Sequence, residues 1–136
     1  METHRIACTW AGGLAFDSEV NGAPLHLDGD HTAQQLTPKK LTLVSLAGCT
    51  AIDIVSLLEK MRQEITAFEV AVEAPVTDEH PRTYTAMKII YTLRGPNLDR
   101  EKVEKAVALS KEKYCGVSAL LAKAVPITYE IVLETA

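Results

Sequence analysis

The chain has 136 residues, 47% hydrophobic and 24% charged, with a formal net charge of −4. This is the size of one ordinary globular domain, expected over residues 1–136, and the acidic balance gives no reason to expect nucleic acid or an anionic membrane as partner. The start, Met-Glu-Thr-His-Arg, lacks the basic-then-apolar pattern of a secretory leader, so a cytoplasmic location is expected. The cysteines, Cys8, Cys49 and Cys115, are odd in number with no CxxC, which argues against a disulfide scaffold and a zinc ribbon. In a reducing compartment such thiols point to catalysis or redox chemistry.

Arg5 to Trp10 alternates, with Ile6, Cys8 and Trp10 sharing a face, and predicts a strand. Cys8 then reads as a core residue. After the Gly12-Gly13 turn, Leu14 to Val20 predicts a second strand, Asn21-Gly22 a tight hairpin, and Leu25 and Leu27 a third strand. The polar residues 28–36 form a loop before the stretch that organises the rest. From Pro38 to Met61 the chain reads as one long helix, with Thr37 suited to the N-cap and Pro38 to the first helical position. Leu41, Leu43, Val44, Leu46, Ala47, Ile52, Ile54, Val55, Leu57 and Leu58 make it apolar almost all round, as a helix buried on every side is. Lys39, Lys40, Asp53, Glu59 and Lys60 interrupt or bound it, so it is expected to fall short of a membrane span.

Past Met61 the period becomes two: Phe68, Val70, Val72 and Ala74 share a face. A turn cluster at Asp78-Glu79-His80-Pro81 leads to a partner strand over Tyr84 to Leu93, which Gly95-Pro96-Asn97 ends. Asp99 is the expected N-cap of a second helix, with Leu98 and Val103 spaced as a hydrophobic staple and Glu101 and Lys105 as an i,i+4 ion pair. Val103, Ala106, Val107, Ser110 and Tyr114 form its inner stripe. Gly116 marks a stop, Val117 to Ala124 a short third helix, and Ile127, Tyr129, Ile131 and Leu133 a last strand. Tyr114 and Tyr129 read as core residues with a polar tip. The order βββ-α-ββ-α-α-β predicts an α+β fold with antiparallel sheets rather than a doubly wound parallel one. A helix apolar on all sides beside a small N-terminal sheet also predicts a homodimer.

Two thiols stand out. Cys49 lies too deep in its helix for the helix dipole to activate it, and Asp53, four residues on, would raise its pKa. Spacing alone is equally satisfied by a buried core cysteine. Cys115 follows Lys111, Lys113 and Tyr114 at a helix–helix corner. Heading the third helix, its sulfur would meet free N–H groups that favour thiolate, and a small corner residue is again the alternative. His4, His26, His31 and His80 show no metal-ligand spacing, so no metal is expected.

Pro38, Leu41 and Ser45-Leu46-Ala47-Gly48-Cys49-Thr50-Ala51-Ile52-Asp53 resemble the central-helix motif of the OsmC/Ohr family. Ala108-Leu109-Ser110-Lys111-Glu112-Lys113-Tyr114-Cys115-Gly116-Val117 resembles its second cysteine motif, and Gly12-Gly13 and His80-Pro81-Arg82 fit as well. The likeness runs from about Trp10 to the C-terminus. It implies a single OsmC-like domain in a swapped homodimer, with sites at the subunit interface and no cofactor. The implied activity is reduction of organic hydroperoxides, with Cys49 attacking, Cys115 resolving, and an external dithiol as reductant. Leu46 and Ile52 beside Cys49, and Tyr114 beside Cys115, are the residues expected to bind the substrate's apolar part. Peroxidase members pair the attacking thiol with an Arg just after the Gly-Gly turn and a Glu in the first turn of the central helix. This chain has Leu14 at the first position and Lys39 and Lys40 at the second. Those departures keep a second reading in play: a non-enzymatic protein that binds a small apolar ligand or acts as a slow thiol redox sensor.

Overall fold

A computed structural model describes residues 1–30 and 34–135. His31, in the polar loop, lies outside the described residues. The described elements run β1 (Cys8–Gly12), β2 (Ala15–Val20), β3 (Ala23–Asp28), α1 (Pro38–Lys60), β4 (Ala67–Glu73), β5 (Met87–Gly95), α2 (Arg100–Leu109), a π-helical turn (Ser110–Tyr114), α3 (Gly116–Ala122) and β6 (Ile127–Thr135). The α+β order expected from the sequence therefore holds. The chain divides into two compact units, residues 1–43 and Val44 onward, with the division inside α1.

In the first unit β1, β2 and β3 form an antiparallel sheet. Asn21 and Gly22, both with positive φ (51° and 81°), turn β2 into β3, the conformation this residue pair favours in a two-residue hairpin. Ile6, Cys8 and Trp10 are exposed, so the inward face expected for them is corrected. Three short strands offer little apolar area for a face to bury against.

In the second unit β4, β5 and β6 form a sheet with β5 in the centre. Met87, Ile89, Tyr91 and Leu93 are all buried, as the period of two requires. β4 pairs antiparallel with β5, whereas β6 pairs parallel with it, which corrects the all-antiparallel expectation. The crossover through α2, the π turn and α3 is long enough to bring the chain back in the same direction. Tyr84 lies before β5, in an isolated bridge to Val76. Gly95 ends β5 where a Cβ would clash with the Glu64 carbonyl oxygen, so only glycine fits there.

Asp99 caps α2 by accepting from the Glu101 backbone N–H at 3.0 Å, as expected. The i,i+4 ion pair on this helix is Arg100–Glu104 rather than Glu101–Lys105. Along α1 the side chains buried within the protein are Leu46, Thr50, Ile54 and Leu58, one i,i+4 stripe. Val44, Ile52 and Val55 are exposed, which corrects the expectation of a helix buried all round within one chain. The expectation that its charges leave α1 short of a membrane span is corrected on length and composition alone: 23 residues at about 1.5 Å each exceed a hydrocarbon core of roughly 30 Å.

Candidate functional site

Cys49 comes from the middle of α1 and Cys115 from the junction after α2, and they approach to 3.1 Å. Each reaches that place for a different reason. Cys49 lies one position before the buried Thr50, on the edge of α1's inner stripe, and is half-buried. Cys115 depends on the π turn. Its backbone N–H donates to the Ser110 carbonyl at 2.7 Å, a five-residue closure. In a regular α-helix the residue below Ser110 would be Tyr114. The π turn holds one residue more, so Cys115 sits at 2% exposure while Tyr114 stands 51% exposed. Lys111 anchors the turn to β6 by donating to the Ile127 carbonyl at 3.1 Å, and its ammonium lies 5.4 Å from the Tyr129 ring centroid.

A buried polar network supports the pair. Thr50 Oγ1 lies 2.8 Å from the Tyr91 hydroxyl and 2.9 Å from Ser110 Oγ, and Ser110 Oγ donates to Asp53 Oδ2 at 3.1 Å. Thr50, Tyr91 and Ser110 are all buried. The hydroxyls satisfy one another where an unpaired one would be costly. Sequence reasoning missed this network. Its signal was two polar residues, Thr50 and Ser110, on otherwise apolar stripes.

The electrostatics differ from the expectation for Cys115. It caps α3, with its sulfur accepting from the Ser118 N–H at 3.3 Å. That bond alone favours thiolate. Burial outweighs it, and together with the hydrogen bond to Cys49 pushes the Cys115 pKa from 9.0 up to about 11. Asp53 adds a small push in the same direction. Burial likewise raises Tyr91 to about 12, despite the Thr50 hydrogen bond that lowers it. Cys115 is therefore a protonated thiol at neutral pH, ready to donate rather than to attack unaided.

Cys49, Asp53 and Cys115 place two sulfurs and a carboxylate oxygen within 4.8 Å of one another. Two sulfurs on one tetrahedral zinc ion stand about 3.8 Å apart, from Zn–S bonds of roughly 2.3 Å. A 3.1 Å approach is tighter than that and suits direct thiol–thiol contact. His4 and His26 are each engaged by a carboxylate, Glu2 and Asp17 respectively.

The residues expected to bind substrate separate. Leu46 is fully buried in the core, and Ile52 (72% exposed) and Tyr114 face outward. Tyr114 lines a small cleft of about 130 Å³ with Asp53, Ser56, Leu57 and Lys60. Tyr129 is partly exposed, so neither tyrosine is a core residue of the chain by itself. Lys39 and Lys40 are exposed, as is Leu14.

Two long-separated cysteines in sulfur contact, on an α+β frame with a long helix and a broken one, define a recognisable class of thiol protein. The family profile described as OsmC-like protein matches residues 29–130, and the chain belongs to that family. It is similar to protein YhfA of Escherichia coli K12, 38% identical over 126 residues that cover 90% of this chain and 94% of YhfA. Among solved structures, a hypothetical protein from Aquifex aeolicus superposes with a TM-score of 0.90 at 25% identity, over 100% of this chain and 99% of that one. The organic hydroperoxide resistance protein OhrB of Bacillus subtilis shares the fold, with a TM-score of 0.67 at 18% identity over 94% of this chain and 98% of OhrB.

Proposed function

We propose that this protein is a thiol-dependent organic hydroperoxide reductase. The observation that carries the reading is the 3.1 Å approach of Cys49 and Cys115, on the fold of a protein named for organic hydroperoxide resistance. Cys49, the more accessible of the two, attacks the distal peroxide oxygen as thiolate. The O–O bond breaks, an alcohol leaves, and Cys49 becomes a sulfenic acid. The Cys115 sulfur then attacks Cys49, water leaves, and a disulfide forms that blocks further oxidation. An external dithiol restores both thiols by exchange. The reaction draws its electrons from the thiols, and the reading includes no cofactor.

In this reading the 136 residues act as one OsmC-like domain in a swapped cytoplasmic homodimer. The exposed apolar face of α1, with Val44, Ile52 and Val55, supports that assembly, since such a face on a stable protein is normally covered. Ile52 and Tyr114 are then the side chains available to meet an apolar substrate, and the buried Leu46 backs the helix behind Cys49.

One equivalent of tert-butyl hydroperoxide is expected to lower the intact mass by two hydrogens, with a Cys49–Cys115 peptide found on digestion. Cys49→Ser should abolish both peroxide consumption and the mass change. An unchanged mass in the parent protein after stoichiometric peroxide overturns the reading and leaves the non-enzymatic ligand-binding or redox-sensing alternative, which the missing Arg and Glu favour.

A further inference from the structure

The proposed cycle needs a group that removes the Cys115 proton, and the fold supplies one. Cys115 is buried, its thiol is hydrogen-bonded to Cys49, and it must lose its proton to bond to the other sulfur. Asp53 stands one helical turn past Cys49, and its carboxylate oxygen lies within 4.8 Å of both sulfurs, a span that one water bridges. Ser110 Oγ donates to Asp53 Oδ2 and fixes its orientation. Ser110 is itself held by Thr50, which Tyr91 holds in turn. Asp53 also lines the open cleft formed with Ser56, Leu57, Lys60 and Tyr114.

We propose that Asp53 is the proton shuttle of the resolving step. Asp53 takes the Cys115 thiol proton as the Cys115 sulfur attacks the sulfenic sulfur of Cys49. The S–O bond breaks, and Asp53 passes the same proton to the departing hydroxide, which leaves as water. The carboxylate is regenerated, and the sum is one sulfenic acid plus one thiol giving one disulfide and one water. The high thiol pKa of Cys115 makes such a base necessary at neutral pH. The titratable groups around this carboxylate are Cys49 on α1, Cys115 after the π turn, Tyr91 on β5 with Tyr129 beside it on β6, and Lys60 and Tyr114 in the cleft. The assignment rests on the proposed cycle but is testable without peroxide.

The test uses an aromatic disulfide, dithiobis(nitrobenzoate), on a Cys8→Ser background that removes the exposed third thiol. The first cysteine to react, expected to be Cys49, releases one coloured thiolate. Attack by the second cysteine closes the Cys49–Cys115 disulfide and releases another. Asp53→Asn is expected to slow the second release at least tenfold at neutral pH, with Asp53→Glu restoring part of the rate. The second release in Asp53→Asn should also rise with pH toward about 11, where Cys115 ionises unaided, while the parent's rate changes little. Ser110→Ala, which frees the carboxylate, should slow closure less. An Asp53→Asn protein that closes at the parental rate with the parental pH profile overturns the assignment. If Asp53→Asn fails to fold, Ser110→Ala and the parent's pH profile decide, and a parent rate climbing tenfold per pH unit overturns it. A parent inert to peroxide but showing Asp53-dependent closure would overturn the peroxidase reading and retain the shuttle.

Discussion

The two segments that carry the sulfurs are built on opposite principles. Around Cys49 the chain is an unbroken helix of 23 residues, and helical phase alone sets where the sulfur points. Around Cys115 the helix breaks twice, first into a π turn and then through one extended residue, before α3 begins. The regular segment leaves its cysteine half-accessible and the broken one buries its cysteine. The difference suits the proposed division of labour, in which the attacking thiol must be met by substrate and the resolving thiol only by its partner. In the proposed cycle a buried, protonated thiol becomes a working part because a base stands beside it.

The strongest way to test that contrast is to remove the buried partner. Cys115→Ser is expected to consume one peroxide per chain in reaching the Cys49 sulfenic acid and a second in progressing to sulfinic acid, and then to stop. Intact mass would show the added oxygens, and steady turnover with dithiol should fall to background. A variant that still cycles would mean that Cys115 does not resolve the sulfenic acid.

The second test changes helical phase. Cys115 reaches Ser110's side of the helix because the π turn absorbs one residue. Inserting an alanine after Lys113 rotates the sulfur by about 100°. Closure of the disulfide should fall at least tenfold, read by second-thiolate release. Deleting the exposed Glu112 places Cys115 four positions after Ser110, the spacing of a regular α-helix, and closure should change only a few-fold. Equal rates in both variants would remove the π turn from the account.

These two segments also mark what the sequence could reveal. The elements α1, β5, β6 and α2 were legible from their apolar patterns, and α2 also from its cap, which Asp99 supplies. The α+β order followed from those elements, but the parallel pairing of β5 and β6 did not, since it depends on where a long crossover returns. Cys115 heads α3, as its place after the second helix suggests, but stripe counting put Tyr114 inside. The π turn reversed that, because five-residue spacing leaves no mark in a 3.6-residue pattern. The rise in the Cys115 pKa was hidden for a related reason: the capping N–H is local, whereas the burial that outweighs it comes from packing. Trp10 and Cys8 failed differently, since alternation shows that residues share a face without showing that anything covers it.

The smallest expected effect concerns stability at high pH and separates the thiol from the network beneath it. Folding raises the Cys115 pKa from 9.0 to about 11 and the Tyr91 pKa from 10.0 to about 12. Both groups are protonated in the native state, and unfolding lets them ionise at lower pH. Their contribution to stability is therefore complete below about 9 and is lost as pH rises toward about 12. The urea midpoint of the reduced protein should fall between pH 9 and 11, with no comparable loss from these groups between pH 6 and 8. Cys115→Ala should flatten the lower part of that fall, where only the thiol ionises, and Tyr91→Phe the upper part. A midpoint indifferent to pH up to 11 would mean that neither group is shielded in the native protein. Cys115 would then ionise as freely as an exposed thiol, and the resolving step would have no need of Asp53.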